Sequence, residues 1–176
     1  MWWTPAALVV VAALTPKTAE AVNGVRLGLA MPIVSHGDYG THWIGSPFEI
    51  SLNVMVSYFM LEELISLDLE LSEGIRFNNP DPNVSGVQRT GTTLRPGARL
   101  HPSTLPLYFG VFFPFHLEPS PFVVGVRAPV GYELPVLIAR WYIEVTADFP
   151  LGGEMGAPGA FQEQIFSLGS GLQLKF

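Results

Sequence analysis

The sequence predicts an all-β chain folded as an eight-stranded antiparallel up-and-down barrel. Three observations predict it. Hydrophobicity alternates with period two along eight segments, the connections between them alternate long and short, and 34 of the residues are Gly or Pro, which suits turns and strands over helices. A chain of 176 residues holds one domain with a real core.

The last segment shows the pattern best. On one parity stand Phe166, Leu168, Ser170, Leu172, Leu174 and Phe176; on the other stand Ile165, Ser167, Gly169, Gly171, Gln173 and Lys175. Successive strand side chains point to opposite faces, so one face is greasy and the other is small or polar. The same split runs through Phe48 to Tyr58, Ile65 to Leu71, Phe122 to Tyr132 and Leu137 to Phe149. Val25 to Met31 is short, Leu94 to Leu100 contains Pro96, and Leu105 to Phe115 is apolar on both parities. Strands are expected near 24–33, 47–59, 64–77, 90–100, 104–116, 120–132, 136–149 and 164–176. Met60 to Leu64 reads as a tight turn and not as a helical one. Long connections are expected at 34–46, 78–89 and 150–163, and short ones at 60–63, 101–103 and 133–135; 117–119 is short where a long one is due.

Alternation alone does not say which face is outside, because a soluble calycin-like barrel alternates with its greasy face inward. The polar face decides. A face in water would be rich in Lys and Glu. This one is filled with small residues such as Ser51, Ser57, Gly97, Gly125 and Gly169, and it carries a few long charges of both signs. Asp68, Glu70, Arg95, Arg99, Arg127, Arg140 and Glu144 are therefore expected to form an interior charge network. Arg suits that role because its planar guanidinium pairs in a fork. Aromatics gather near strand ends, with Phe48, Phe77, Phe115, Phe122, Phe149 and Phe166 at the long-loop end and Tyr58, Tyr132 and Phe176 at the other. Two such girdles, and segments of roughly 9–11 residues, fit a tilted strand that crosses a bilayer. The fold class is thus a transmembrane β-barrel.

Residues 1–21 read as a cleaved signal peptide and 22–176 as the barrel. Ala6 to Leu14 is a short apolar run, and Ala19-Glu20-Ala21 is an A-x-A site. The start, Met1-Trp2-Trp3-Thr4, lacks the usual Lys or Arg. The net charge of −6 without a basic cluster excludes nucleic acid as an expected partner. The absence of Cys excludes disulfides and thiolate metal sites, and no cofactor or metal motif occurs. Asn78 to Asn83 has too few carboxylates for a calcium loop, and Asn83-Val84-Ser85 is only a nominal glycosylation pattern.

The C-terminal stretch Gly171-Leu172-Gln173-Leu174-Lys175-Phe176 resembles the terminal-strand signal of bacterial outer-membrane proteins. Gly171, Leu172, Leu174 and Phe176 carry the resemblance; Gly169 stands where a polar residue is usual. With the leader and the eight segments, the chain resembles the small OmpA/OmpW-type outer-membrane barrels over residues 22–176. The resemblance implies an outer-membrane location, outer-membrane lipid as surroundings and the barrel-assembly machinery as a partner in biogenesis. It implies no particular activity, because such barrels host anchors, adhesins, pores and lipid-modifying enzymes.

The reading is of a non-enzymatic barrel with a side-chain-plugged lumen and function in its outer loops. A small-solute or hydrophobic-ligand channel, a lipid A-modifying hydrolase and a soluble calycin-like binder are the alternatives. The hydrolase would draw on Ser35, His36, Asp38 and His42 in one loop, but no nucleophile elbow is present, and a solvated polar loop is the simpler reading. His101 and His116 are expected at the interfaces. Deleting Phe176 is expected to abolish assembly, read as periplasmic degradation and loss of the membrane-inserted form in cell fractions.

Overall fold

The computed structural model describes residues 23–37, 40–43, 48–77, 88–102, 104–118, 123–153 and 164–176. The leader, most of the long connections and Phe122 lie outside the described residues. Ten strands form a single sheet: β1 (Asn23–Gly37), β2 (Gly40–Trp43), β3 (Phe48–Met60), β4 (Ile65–Phe77), β5 (Gln88–Leu100), β6 (Leu107–Phe112), β7 (Phe115–Glu118), β8 (Val123–Val136), β9 (Ala139–Gly153) and β10 (Gln164–Lys175). Each main strand pairs antiparallel with its chain neighbour, and β10 returns to pair with β1 along Gly24↔Lys175 to His36↔Gln164. The sheet is therefore closed. Short β2 extends β1 above the wall, and β6 and β7 together make one stave, so the barrel has eight staves. Closure leaves no unpaired edge along the wall.

The strands are longer than the alternation suggests. Residues 34–37 and 40–43 continue upward as a hairpin, with Val34 opposite Trp43 and Gly37 opposite Gly40, so much of the expected 34–46 loop is paired. Strand β9 runs on to Gly153, and Leu117 and Glu118 belong to β7 instead of a short connection. The stave expected over 104–116 is broken. Residues 104–106 lie in the turn, and β6 stops at Phe112 before Phe113-Pro114. Proline has no N–H to offer the ladder. The chain compensates at this break: Phe113 N–H donates to the Pro96 carbonyl at 2.9 Å and Gly125 N–H to the Pro114 carbonyl at 3.1 Å.

The connection expected at 133–135 also moves. Glu133 to Val136 keep the strand alternation, and the turn is Leu137-Ile138, with Leu137 at φ 54°. Glu133 consequently points inward. The β3–β4 connection is a tight turn, as its sequence suggests, with Leu61, Glu62 and Glu63 all at positive φ. In β5, the register shifts opposite Gly74/Ile75 and Gly91 takes φ 143°, a conformation that only glycine adopts without strain.

Parity sorts the side chains. Leu27, Leu29, Leu52, Leu69, Phe109, Val130, Val145, Leu168 and Leu172 stand exposed on the outer wall. Arg26, Met55, Asp68, Glu70, Arg99, Tyr108, Phe112, Arg127, Tyr142 and Gln173 are buried inside. The inside is narrow, and glycine makes the space. A Cβ at Gly131 would strike the Tyr108 ring, one at Gly28 or Gly171 the Tyr142 hydroxyl, and one at Gly97 the Phe112 ring. Tyr108, Phe112 and Tyr142 thus each lie across a glycine on a neighbouring strand.

Gly131→Val and Gly28→Val are expected to cost about 1–3 kcal/mol by overpacking. Gly169→Ala is expected to be neutral, because its Cβ would meet only ordinary contacts from 3.4 Å outward. Urea unfolding midpoints in a fixed lipid or detergent measure the difference.

Candidate functional site

The largest concentration of chemistry is the interior, where three charged clusters stack along the lumen. Near the short-turn end, Arg99 on β5 forks onto Asp68 on β4, with Nε 2.9 Å from Oδ2 and Nη2 3.0 Å from Oδ1. Ser57 accepts from the same Nη2 at 3.0 Å, and Ser66 donates to Asp68 at 3.0 Å. Both charged side chains are 0% exposed. At a second level, Glu70 accepts from Arg95 and, at 3.3 Å, from Arg127. Arg127 also reaches Asp148 at 3.1 Å and donates to Thr146 at 3.1 Å. The third cluster joins Arg26 on β1 to Glu144 on β9 at 3.2 Å. Tyr108 donates to Glu144 at 2.6 Å and is hydrogen-bonded to Arg26, whose guanidinium stacks 3.1 Å above the centre of the Tyr142 ring.

Asp68, Glu70, Arg95, Arg99 and Arg127 therefore come together along β4, β5 and β8. Glu144 is also inside, but its cation is Arg26 and not a neighbour on β8 or β9. Arg140 departs from the expectation. Its side chain is 41% exposed at the short-turn rim, where it pairs with Glu133 at 3.3 Å and Glu63 at 3.4 Å. Four residues toward that rim from Glu144, it has already left the buried region. Glu133, Asp148, Tyr108 and Tyr142 belong to the site without having been singled out, and Arg26, one of the long charges expected on the polar face, joins them. For Arg26, Asp148 and Tyr142 the signal in the sequence is parity, whereas Tyr108 lies in a segment apolar on both parities and Glu133 in an expected connection.

The rim encloses a cavity of about 490 Å³, lined by Glu63, His101, Leu107, Glu133, Pro135 and Arg140, among others. His101 sits between the rings of Phe59 and Tyr108, at 5.4 and 5.7 Å, and its Nε2 is 3.1 Å from Ser66 Oγ. Burial, aided by the nearby Arg99 charge, pushes its pKa down to about 4. Glu63 is held below the ordinary carboxylate range; burial opposes this, but the Lys175 ammonium bonded to it at 2.7 Å and Arg140 prevail. Among the described residues no group of three or more His, Cys, Asp or Glu is placed to hold a metal ion.

The loop set considered for hydrolysis is not assembled among the described residues. His36 Nδ1 is 2.6 Å from the Thr41 hydroxyl, while Asp38 and the side chains of Ser35 and His42 lie outside them. The terminal-strand residues Leu172, Leu174 and Phe176 all stand exposed on the outer wall. Phe176 also closes the seam, its N–H and carbonyl exchanging bonds of 2.8 and 2.9 Å with Asn23. Gly171 lies inward, where a Cβ would strike the backbone of Leu27 and Gly28 on β1 before it met the Tyr142 hydroxyl.

No family model and no curated protein matches the chain. Among solved structures, the chain is similar to the crystal structure of Neisserial surface protein A (NspA), with a TM-score of 0.63 and 12% identity, covering 90% of this chain and 100% of that one. At that identity the likeness is one of fold.

Two outcomes follow from the clusters. Glu144→Ala strands Arg26 beside two tyrosines and is expected to cost about 3–5 kcal/mol, against about 0–1 for exposed Glu62→Ala. Equal urea midpoints would mean that Glu144 is not in a packed interior. His101 takes up a proton more readily in the unfolded chain, at an ordinary pKa near 6.5, than in the fold, at about 4. Stability is then full above about pH 6.5 and falls as pH drops toward 4. His101→Gln is expected to flatten that part of the curve of unfolding free energy against pH.

Proposed function

We propose that this protein is an exported, integral outer-membrane β-barrel without enzymatic activity, its lumen plugged by paired side chains and its roles carried by the long-loop end. The observation that carries this reading is the inversion of the sheet. Leucine, valine and aromatic side chains crowd an exposed outer wall, while charges are buried inside. A soluble barrel with that surface would face water with a continuous apolar belt. In hydrocarbon the same belt is solvated, and a closed sheet satisfies every backbone group of the wall.

The polar groups on the wall support the reading. Ser170 donates to the Tyr142 carbonyl at 2.9 Å and accepts from the Trp141 indole at 2.9 Å. Glu73, which sits opposite outward Leu52 toward the long-loop end, accepts from Thr92 at 2.8 Å. The solved relative in fold is described as a surface protein, which agrees with such a location. In this account residues 1–21 direct export and are removed, the barrel-assembly machinery reads the strand ending at Phe176, and outer-membrane lipid is the standing partner. Narrow bore and paired interior charges favour a plug over a channel.

Cell fractionation tests the location. The protein is expected in the outer-membrane fraction, soluble only with detergent, and the unheated folded form is expected to migrate differently from the boiled one in SDS gels. A detergent-free monomer in the soluble fraction would overturn the membrane reading. In planar bilayers the purified barrel is expected to give no steady conductance; discrete open channels would replace the plug with a pore.

A further inference from the structure

The short-turn rim is chemically lopsided. The β3–β4 turn carries Glu62 and Glu63 beside exposed Leu61, and the β5–β6 turn carries His101 and Thr104 beside exposed Leu105. The β10–β1 seam ends at Phe176 and Asn23, with Lys175 one residue before. The β8–β9 hairpin is different. From Leu134 through Ala139 its outward and tip positions are Leu134, Val136, Leu137, Ile138 and Ala139, without one polar side chain. Leu137 is 100% and Ile138 89% exposed, and among the described residues none covers them. Its two flanking charges, Glu133 and Arg140, lie on the inward parity and pair with each other at 3.3 Å. Single exposed leucines are ordinary. An unbroken apolar tip that continues an apolar wall is not.

Around the closed sheet the order of staves is β1, β3, β4, β5, β6/β7, β8, β9, β10. The β3–β4 and β8–β9 hairpins therefore stand on opposite sides of the same rim. One tip carries carboxylates that require water. The other presents only hydrocarbon, directly continuous with the outer-wall residues Tyr132, Leu134 and Trp141.

We infer that the β8–β9 hairpin is immersed in lipid together with the wall, so that the barrel axis leans in the bilayer toward β8 and β9 while Glu62 and Glu63 stay in water. This rests on the membrane reading above. The occupant of the apolar tip is the acyl-chain region of the bilayer itself, because the tip extends the lipid-facing surface without a polar break. A hydrophobic surface that runs past the membrane boundary on one side is accommodated by tilt.

The absence of Cys allows single nitroxide labels at chosen sites. Cysteines at Ile138, Glu62 and Val145 are labelled one at a time, and the barrel is folded into phosphatidylcholine vesicles. Each label is read for collision with oxygen, which concentrates in lipid, and with a water-soluble nickel chelate. The label at 145, on the exposed middle of β9, reports the wall. The expected result is that labels at 138 and 145 both favour oxygen, with at least about five-fold less nickel collision than the label at 62. Lipid exposure at 145 with nickel collision at 138 equal to that at 62 would overturn the lean and leave the membrane reading intact. Nickel collision at all three positions would overturn both. Leu137→Gln with Ile138→Gln alters only tip residues that touch nothing in the fold, so the barrel is expected to assemble. Polarised infrared spectra of oriented bilayers are then expected to show a smaller tilt of the barrel axis than in the parent; an unchanged tilt would count against the inference.

Discussion

Buried charge is the constraint on which the rest of this structure depends. Asp68 and Arg99 lie wholly inside a closed eight-stave sheet, where an unpaired ion would be ruinous. They persist because the fork is bidentate and because Ser57 and Ser66 add hydrogen bonds to it. The same requirement recurs along the lumen at Glu70 and at Glu144. Satisfying it needs room. That room comes from glycines placed opposite Tyr108, Tyr142 and Phe112. With the polar groups turned inward and engaged, the outside is left to apolar side chains.

Much of this is legible in the chain because strand geometry has a period of two. Parity alone separates Arg26, Asp68, Arg99 and Tyr142 from Leu27, Leu67, Leu100 and Ile143. Adjacent pairs are legible too, since Asp68 and Arg99 lie on strands joined by one connection. What parity does not reveal is anything that depends on closure. Arg26 meets Glu144 because β10 lies between β1 and β9 in a sheet that returns on itself. That distance is set by how the closed register is staggered, which no local pattern encodes. Arg140 shares the parity of Glu144 yet sits at the rim, because height along the barrel decides burial as much as face does. The prolines mislead in both directions. Pro135 reads as a turn but stays in β8 opposite Arg140, whereas Pro114 does interrupt its stave.

The two ends of the barrel differ in kind. At the short-turn end the rim gathers Glu63, Arg140 and Glu133 around a cavity, with Lys175 bonded to Glu63, and holds His101 between aromatic rings. At the other end β1 and β2 continue as a paired hairpin above the wall. The interior clusters lie between these ends. That division suits a protein whose wall anchors it and whose long-loop end faces outward.

In a packed, dry interior these charges are worth far more as pairs than alone. A double-mutant cycle on Asp68→Leu and Arg99→Leu, read as urea unfolding free energy in one lipid, measures this. Each single change is expected to cost about 3–5 kcal/mol while the double change costs well under the sum, because removing both partners strands no ion. Single changes near about 0–1 kcal/mol that simply add would contradict a packed, dry interior, since that is how pairs behave in water.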